Sequence, residues 1–150
     1  MAAILLDVNV LVALLWEGHD DHDAARQWFG ENEKKGWATC PFTQAAFVRI
    51  VSNPAFSSRA VKLSEAVALL EENTQRSSHE FWRDNISFAD AAAYLRPDLT
   101  GHKQVTDAYL LGLAIHHRSK LATFDKPLST LLPASLRKSD WIVELSRRSH

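Results

Sequence analysis

Cysteine is almost missing from this sequence, since Cys40 is the only one in 150 residues. A single thiol cannot form an intramolecular disulfide, and it cannot build a zinc site from several cysteines. The fold must therefore be stabilised by an apolar core, for which a chain of this length is sufficient. The scarcity of cysteine also fits a protein of the reducing cytoplasm, which is the compartment we expect.

Long apolar runs and an excess of one charge are missing as well. No apolar stretch approaches the roughly 18 residues of a membrane-spanning helix, and the first residues lack the basic segment of a secretory signal. We therefore expect no association with a membrane. The 17 Lys and Arg residues nearly balance the 18 Asp and Glu residues, for a formal net charge of -1. A surface for nucleic acid must then be local.

The residues that are present predict one α/β domain over residues 1–150. Short apolar strands alternate with helices, which is typical of a parallel sheet covered on both faces. The predicted strands are 3–6, 37–40, 120–123 and 141–143, and residues 79–83 are an ambiguous segment that fits a short edge strand. The predicted helices are 8–16, 20–35, one capped by Thr43, one capped by Ser64, a short one opened by Ser87, and 102–117.

Three aspartates lie where this fold would bring them together. Asp7 and Asp125 each end an apolar strand, and the carboxyl ends of parallel strands are where such sheets bind ligands. Asp107 begins an inward-facing stripe on the 102–117 helix. Taken singly, Asp107 fits an acid near a helix N-terminus and Asp125 a turn acid. Converging carboxylates repel each other unless a cation lies between them, and oxygen ligands suit Mg²⁺, with Mn²⁺ as a substitute.

Three sequence segments carry a family resemblance. They are residues 5–11 (Leu-Leu-Asp-Val-Asn-Val-Leu), 104–110 (Gln-Val-Thr-Asp-Ala-Tyr-Leu) and 121–125 (Leu-Ala-Thr-Phe-Asp). In order and spacing they resemble a PIN domain, and more narrowly the VapC toxins of toxin–antitoxin pairs. The resemblance implies a three-layer α/β sandwich with a short, mostly parallel sheet. It also implies a Mg²⁺-dependent endoribonuclease, the toxin of a type II pair.

The resemblance assigns roles to particular residues. Asp7, Asp107 and Asp125 would be both catalytic residues and metal ligands, with Asp125 direct or through water. A water molecule, rather than the RNA 2′-hydroxyl, would attack the phosphodiester bond. Asn9 and Thr106 would orient the acids or position the substrate, although a turn Asn and a helix-start Thr are equally good interpretations.

The sequence departs from the PIN pattern at one position. PIN domains usually carry a Glu on the helix after the second strand, and here Gln44 is the best match, with Ala46 as the other alignment. An amide oxygen can still ligate a metal or orient its water, but it brings no charge. The alternative function is therefore a catalytically weak or inactive PIN-fold module that binds RNA or protein. A phosphatase using Asp7 fits less well, because Asn9 stands where a second acid is needed.

Four side chains near these acids are candidates for binding RNA: Arg49, His102, Lys103 and Lys126. The resemblance implies RNA as substrate, with transfer RNA as a family-level expectation. It also implies a VapB-like antitoxin partner and a homodimer. We expect the antitoxin to bind the apolar faces of the first helices, in particular residues 11–16, Trp28, Phe29, Phe47, Val48 and Val51.

Overall fold

A five-stranded sheet lies at the centre of the computed structural model, which describes residues 3–99 and 101–147. The strands are β1 (Ile4–Leu6), β2 (Trp37–Thr39), β3 (His79–Phe81), β4 (Leu121–Thr123) and β5 (Ile142–Glu144). Their order is β3-β2-β1-β4-β5, and all neighbouring strands are parallel. The predicted α/β class is confirmed, and the ambiguous segment 79–83 contains the edge strand β3.

Helices connect the strands. They are α1 (Val8–Leu15), α2 (His22–Asn32), α3 (Pro41–Val51), α4 (Leu63–Thr74), α5 (Phe88–Ala92), α6 (Val105–His116) and α7 (Lys138–Trp141). Short 3-10 turns occupy Glu33–Lys35, His102–Gln104 and Lys126–Leu131. The turn before β2 needs the left-handed region at Gly36, whose φ is 87°, so this glycine ends the predicted 20–35 helix.

The apolar core lies in two layers, one on each face of the sheet. In β1, Leu5 belongs to one cluster, while Ile4 and Leu6 belong to the other. This alternation follows from the two-residue period of a strand, and burial on both faces explains why β1 is continuously apolar. Helices α1 to α4 supply one cluster and α5 and α6 the other, so the sandwich has three layers.

The direction of winding reverses beside β1. The chain goes from β1 to β2 and β3 on one side, then returns to β4 and β5 on the other. In open α/β sheets the crevice at such a reversal, beyond the carboxyl ends of the strands, is where ligands bind. The reversal lies between β1 and β4, which are the two strands that lead into Asp7 and Asp125.

The second layer depends on close packing between α5 and α6. A Cβ atom added at Gly112 of α6 would lie 2.3 Å from the carbonyl oxygen of Ala91 in α5. Only glycine allows the two backbones to approach this closely. The approach fixes α6, and with it Asp107, relative to the sheet.

Two predicted helix caps are wrong. The third helix begins at Pro41 with Cys40 as its N-cap, and Thr43 reaches back so that its Oγ1 accepts the Cys40 N–H at 3.0 Å. Proline fits the first helical position because its missing N–H has no partner there in any helix. The fourth helix begins at Leu63 after Lys62, so Ser64 lies inside its first turn. By contrast, Ser87 caps α5 as predicted and accepts the Asp90 N–H at 3.0 Å.

The apolar surface predicted for an antitoxin is largely core. Leu11, Phe29, Phe47 and Val51 are buried, because α1, α2 and α3 pack on one another and on the sheet. Trp28 keeps partial exposure. In the described parts of the chain, no helix is both long enough and apolar enough to span a bilayer.

Candidate active site

Asp7 lies at the carboxyl end of the central strand and caps the helix that follows. Its backbone is extended (φ -62°, ψ 156°), and its Oδ1 accepts the Val8 N–H at 2.7 Å. The residue is only 4% exposed. Burial raises the pKa of Asp7, while hydrogen bonds from Thr123 and Val8 oppose that rise. The sequence therefore places a carboxylate in an apolar layer and stabilises its charge with two donors.

Thr123 connects the two strand-end acids. Its hydroxyl donates to Oδ2 of Asp7 at 2.7 Å and accepts the Asp125 N–H at 3.0 Å. Thr123 is fully buried at the end of β4, beside β1. The side chain thus stabilises the charge of one acid and fixes the backbone of the other. Sequence analysis missed this role, although a threonine ending an apolar strand two residues before an acid was a usable signal.

Asn9 braces the same corner from the first turn of α1. Its Nδ2 lies 3.5 Å from Thr123 Oγ1, and its Oδ1 accepts the Phe124 N–H at 3.3 Å. These bonds tie α1 to the turn that carries Asp125. Asn9 therefore contacts neighbours of the acids, and its role in positioning them or the substrate stays a prediction.

Asp107 faces the two strand-end acids from the first turn of α6. Burial, followed by the charges of Asp7 and Asp125, raises its pKa from 3.8 to about 6. Asp125 also raises the pKa of Asp7, so the three predicted acids share one electrostatic environment. No group of three His, Cys, Asp or Glu side chains in the described residues is arranged so that it could hold a metal ion. Ligation by all three acids stays a prediction.

The donor set nevertheless fits a hard divalent cation. Mg²⁺ is commonly held by one or two carboxylates and completes its shell with water and substrate phosphate. Asp7 and Asp107 provide oxygen atoms, and burial together with neighbouring carboxylates raises the pKa of each, so a bound cation would favour their ionised forms. Each Asp7 oxygen accepts one hydrogen bond and retains a lone pair for a metal.

Gln44 is oriented by a chain of hydrogen bonds on β2. Its Nε2 donates to Thr39 Oγ1 at 3.0 Å, and Thr39 Oγ1 lies 2.7 Å from His79 Nε2. The direction of the second bond depends on the His79 tautomer, and a neutral ring with its proton on Nδ1 lets Thr39 donate to His79 while it accepts from Gln44. Burial lowers the pKa of His79, which favours the neutral ring that this pattern needs. The half-buried Gln44 thus turns its amide nitrogen toward β2.

The chain is similar to known proteins over most of its length. The PIN domain family model matches residues 4–131. The chain is 42% identical to "Ribonuclease VapC44" of Mycobacterium tuberculosis over 135 residues, which cover 89% of this chain and 94% of that protein. It is also 42% identical to "Ribonuclease VapC38" of the same species, over 85% of this chain and 88% of the relative.

The chain belongs to the VapC family of PIN-domain proteins. A solved structure agrees with the fold of this VapC-family member at a TM-score of 0.67 and 14% identity. It covers 97% of this chain and 100% of its own, and it is described as VapBC2 from Rickettsia felis bound to a DNA fragment from their promoter. At this identity the match speaks for the fold alone.

The basic residues predicted to bind RNA are only partly brought to the acids of this VapC-family chain. Lys126 is exposed and lines a cleft together with Asp125. Arg49 is exposed on α3, and His102 is exposed in the turn before α6. The side chain of Lys103 lies outside the described part of the structure. Thr106 is half-buried on α6 beside Asp107.

Sequence analysis also missed a fourth acid at this edge of the VapC-family sheet. Asp84 follows the edge strand β3, and the Tyr109 hydroxyl donates to its Oδ1. Tyr109 is buried on α6, two residues after Asp107, so the contact links the edge of the sheet to the helix that carries an acid. Such a pairing joins residues 25 positions apart through the fold, and no local pattern signals it.

Proposed function

We propose that this chain is a Mg²⁺-dependent endoribonuclease, the toxin of a type II toxin–antitoxin pair. The observation that carries the proposal is the convergence of Asp7, Asp107 and Asp125 at the reversal of the sheet, where Thr123 supports the two strand-end acids. The relatives named ribonuclease, at about 40% identity over most of the chain, support RNA as the substrate.

In this proposal, the chain's own residues hold and orient the charges. Asp7 and Asp107 would hold the cation, with Asp125 direct or through water. When bound, Mg²⁺ would lower the pKa of a water molecule and neutralise charge on the scissile phosphate. Thr123 favours the ionised form of Asp7 by donating to it, and Asn9 contacts the turn that carries Asp125. In-line attack by water on phosphorus would break the P–O3′ bond and leave a 5′-phosphate and a 3′-hydroxyl.

The partners of the proposed toxin follow from the same family assignment. A VapB-like antitoxin would neutralise it, since the Rickettsia felis structure of the same fold is a VapBC assembly. Cellular RNA as substrate implies work in the cytoplasm. A homodimer is also proposed, and light scattering of the purified chain would give its mass. Exposed apolar side chains on the second layer, namely Phe88, Tyr94 and Val105, are the surface a dimer would bury.

A non-catalytic module that binds RNA or protein is the second candidate. Two observations favour it. Gln44 brings no charge where a PIN domain usually has Glu, and no ready group of three ligands occurs in the described residues. This candidate predicts RNA binding without cleavage in either Mg²⁺ or Mn²⁺.

End-mapping of cellular RNA after controlled expression tests the proposal. We expect discrete new 5′-phosphate ends with the unmodified chain and their loss with Asp7→Asn. Purified, antitoxin-free protein should cleave the mapped RNA only when Mg²⁺ or Mn²⁺ is present. Equal cleavage by the two proteins would show that the site is misassigned or that a contaminating nuclease is responsible. Binding of the RNA without cleavage would favour the second candidate.

A further inference from the structure

A cleft of about 560 Å³ opens beside Asp125 at the carboxyl edge of the sheet. One wall is the segment after β4, with Asp125, Lys126 and Pro127, and the other is the segment after β5, residues 145–147. Since β4 and β5 are paired and parallel, both segments leave the sheet at the same edge. The volume lies within the roughly 300–1,000 Å³ of small-ligand sites. A substrate bound at the acids would therefore pass directly into this cleft.

Arg147 is held in position over the wall of the cleft. Its guanidinium carbon lies 5.5 Å from the centre of the Phe124 ring, and its Nε donates to Asp21 Oδ2 at 3.0 Å. Phe124 is 3% exposed and so provides a fixed platform. The Asp21 contact uses Nε, so the terminal nitrogens can turn to another acceptor. An arginine oriented in this way is suited to bind phosphate with little loss of side-chain entropy.

The charges around this cleft are more favourable to an anion than those of its neighbour. Lys126 and Arg147 contribute two positive charges, which balance Asp125 on the wall and Asp21, the partner of Arg147. A neighbouring cleft shares Leu145 and Ser146 but carries Glu31 and Glu144. A polyanion would therefore enter the first cleft and avoid the second.

We propose that this cleft binds a backbone phosphate of single-stranded RNA next to the scissile one, with Arg147 and Lys126 as the binding residues. The inference rests on the proposed function and adds to it a substrate subsite between the segments that follow β4 and β5. Arg147 is not among the four basic residues that the sequence predicted to bind RNA, so the structure gives this residue a new role. Single-stranded RNA fits because its backbone can bend into a cleft at a sheet edge, whereas a duplex presents a rigid surface.

Binding of a labelled single-stranded RNA tests the subsite without catalysis. All proteins would carry Asp7→Asn, and fluorescence anisotropy in Mg²⁺ would give Kd over a series of salt concentrations. We expect Arg147→Gln to weaken binding about three- to tenfold and to reduce the slope of log K against log salt by roughly 0.7, the value for one phosphate contact on a single strand. Arg147→Lys should retain the slope, because it keeps the charge.

Arg76 offers a matched control at the opposite edge of the sheet. It also pairs with an acid, Glu33, at 3.1 Å, and its guanidinium carbon lies 5.7 Å from the centre of the Phe29 ring. It precedes β3, at the amino ends of the strands. Arg76→Gln should leave both Kd and the salt slope unchanged. In the active background, Arg147→Gln should raise KM more than it lowers kcat.

The results of these experiments distinguish a failure of the proposed subsite from a failure of the proposed ribonuclease function. If Arg147→Gln matches Arg76→Gln in Kd and slope while the chain binds RNA, the subsite is wrong and the proposed ribonuclease stands. If the unmodified chain neither binds nor cleaves RNA, the proposed function fails and the subsite falls with it. Thermal unfolding of each variant shows whether a loss of binding comes from a loss of fold.

Discussion

Replacing Thr123 by valine tests how the site keeps Asp7 charged. Valine has nearly the same shape, but it cannot donate to Asp7 Oδ2 or accept the Asp125 N–H. Thr123 is fully buried and Asp7 is 4% exposed, so water cannot easily replace the lost donor. The substitution therefore removes one hydrogen bond from a buried carboxylate and adds no bulk.

The expected loss follows from the kind of bond. A hydrogen bond to a charged group contributes about 1.5–3 kcal/mol, which corresponds to roughly ten- to one-hundred-fold in an equilibrium or a rate. Residues that orient metal ligands have similar effects on metal affinity. The Thr123 bond lowers the pKa of Asp7, so its removal should move that pKa further upward. The acidic limb of the pH–rate profile should therefore shift to higher pH.

Stability gives a second measure that does not depend on activity. The pKa of Asp7 is raised overall, so its carboxylate destabilises the fold as the pH rises, and the hydrogen bond from Thr123 offsets part of that cost. Thr123→Val should thus cost about 1–3 kcal/mol of unfolding free energy near neutral pH. The cost should shrink in acid, where Asp7 is protonated and a neutral acceptor forms a weaker bond.

The assay compares RNA cleavage rates and urea unfolding from about pH 5 to about pH 9. Thr130→Val is the matched control, because Thr130 is exposed in the turn after β4 and its hydroxyl donates to the Pro127 carbonyl. If Thr123→Val does not differ from this control, its cleavage rate will lie within twofold of that of Thr130→Val, and both pH–rate profiles will have the same acidic limb. That result would refute the view that Thr123 favours the charged form of Asp7.

Three further substitutions have definite expected outcomes. Asp107→Asn should raise the Tm of the metal-free protein near neutral pH but not below about pH 4, because a carboxyl pKa raised to about 6 destabilises the fold as the pH rises through that window. Gln44→Glu should tighten Mn²⁺ or Mg²⁺ binding in calorimetric titration, because it adds a negative charge. Gly112→Ala should lower stability by roughly 1–3 kcal/mol, because its Cβ would collide with the Ala91 backbone.

Each of these outcomes can fail in a recognisable way. A pH-independent change in Tm for Asp107→Asn would mean that burial and the neighbouring acids do not raise the pKa of the Asp107 carboxyl group. Unchanged or weaker metal affinity for Gln44→Glu would mean that this side chain does not face the metal. Gly30→Ala is a control for the glycine substitution, because a Cβ at Gly30 meets no atom within 4 Å.

Local patterns in the sequence were enough to locate the strand-end acids. Asp7 and Asp125 each follow a short, continuously apolar run, which is typical of a strand buried on both faces. Alternation of strands and helices then implied a parallel sheet, which brings carboxyl ends to one edge. The position of β3 at the sheet edge was ambiguous, because three residues with partial exposure carry little periodicity.

Contacts that join distant segments were beyond the reach of these patterns. Thr123 looks like an ordinary strand residue until β4 is placed beside β1, and Arg147 looks like a terminal charge until β5 is placed beside β4. Apolar helix faces were also misassigned. The sequence predicted Phe47 and Val51 to be surface that an antitoxin could bind. In the structure, α3 packs between α1 and α4, and both side chains are buried.

The large sequence separation between Asp7 and Thr123 has a consequence for the protein while it is being translated. These partners are 116 residues apart, and β1 acquires its neighbour β4 only after α6 has been made. A nascent chain that lacks the β4 segment has a partly buried carboxylate without its principal donor, and it lacks Asp125 as well. The proposed nuclease would therefore stay inactive on the ribosome until nearly the whole domain has emerged.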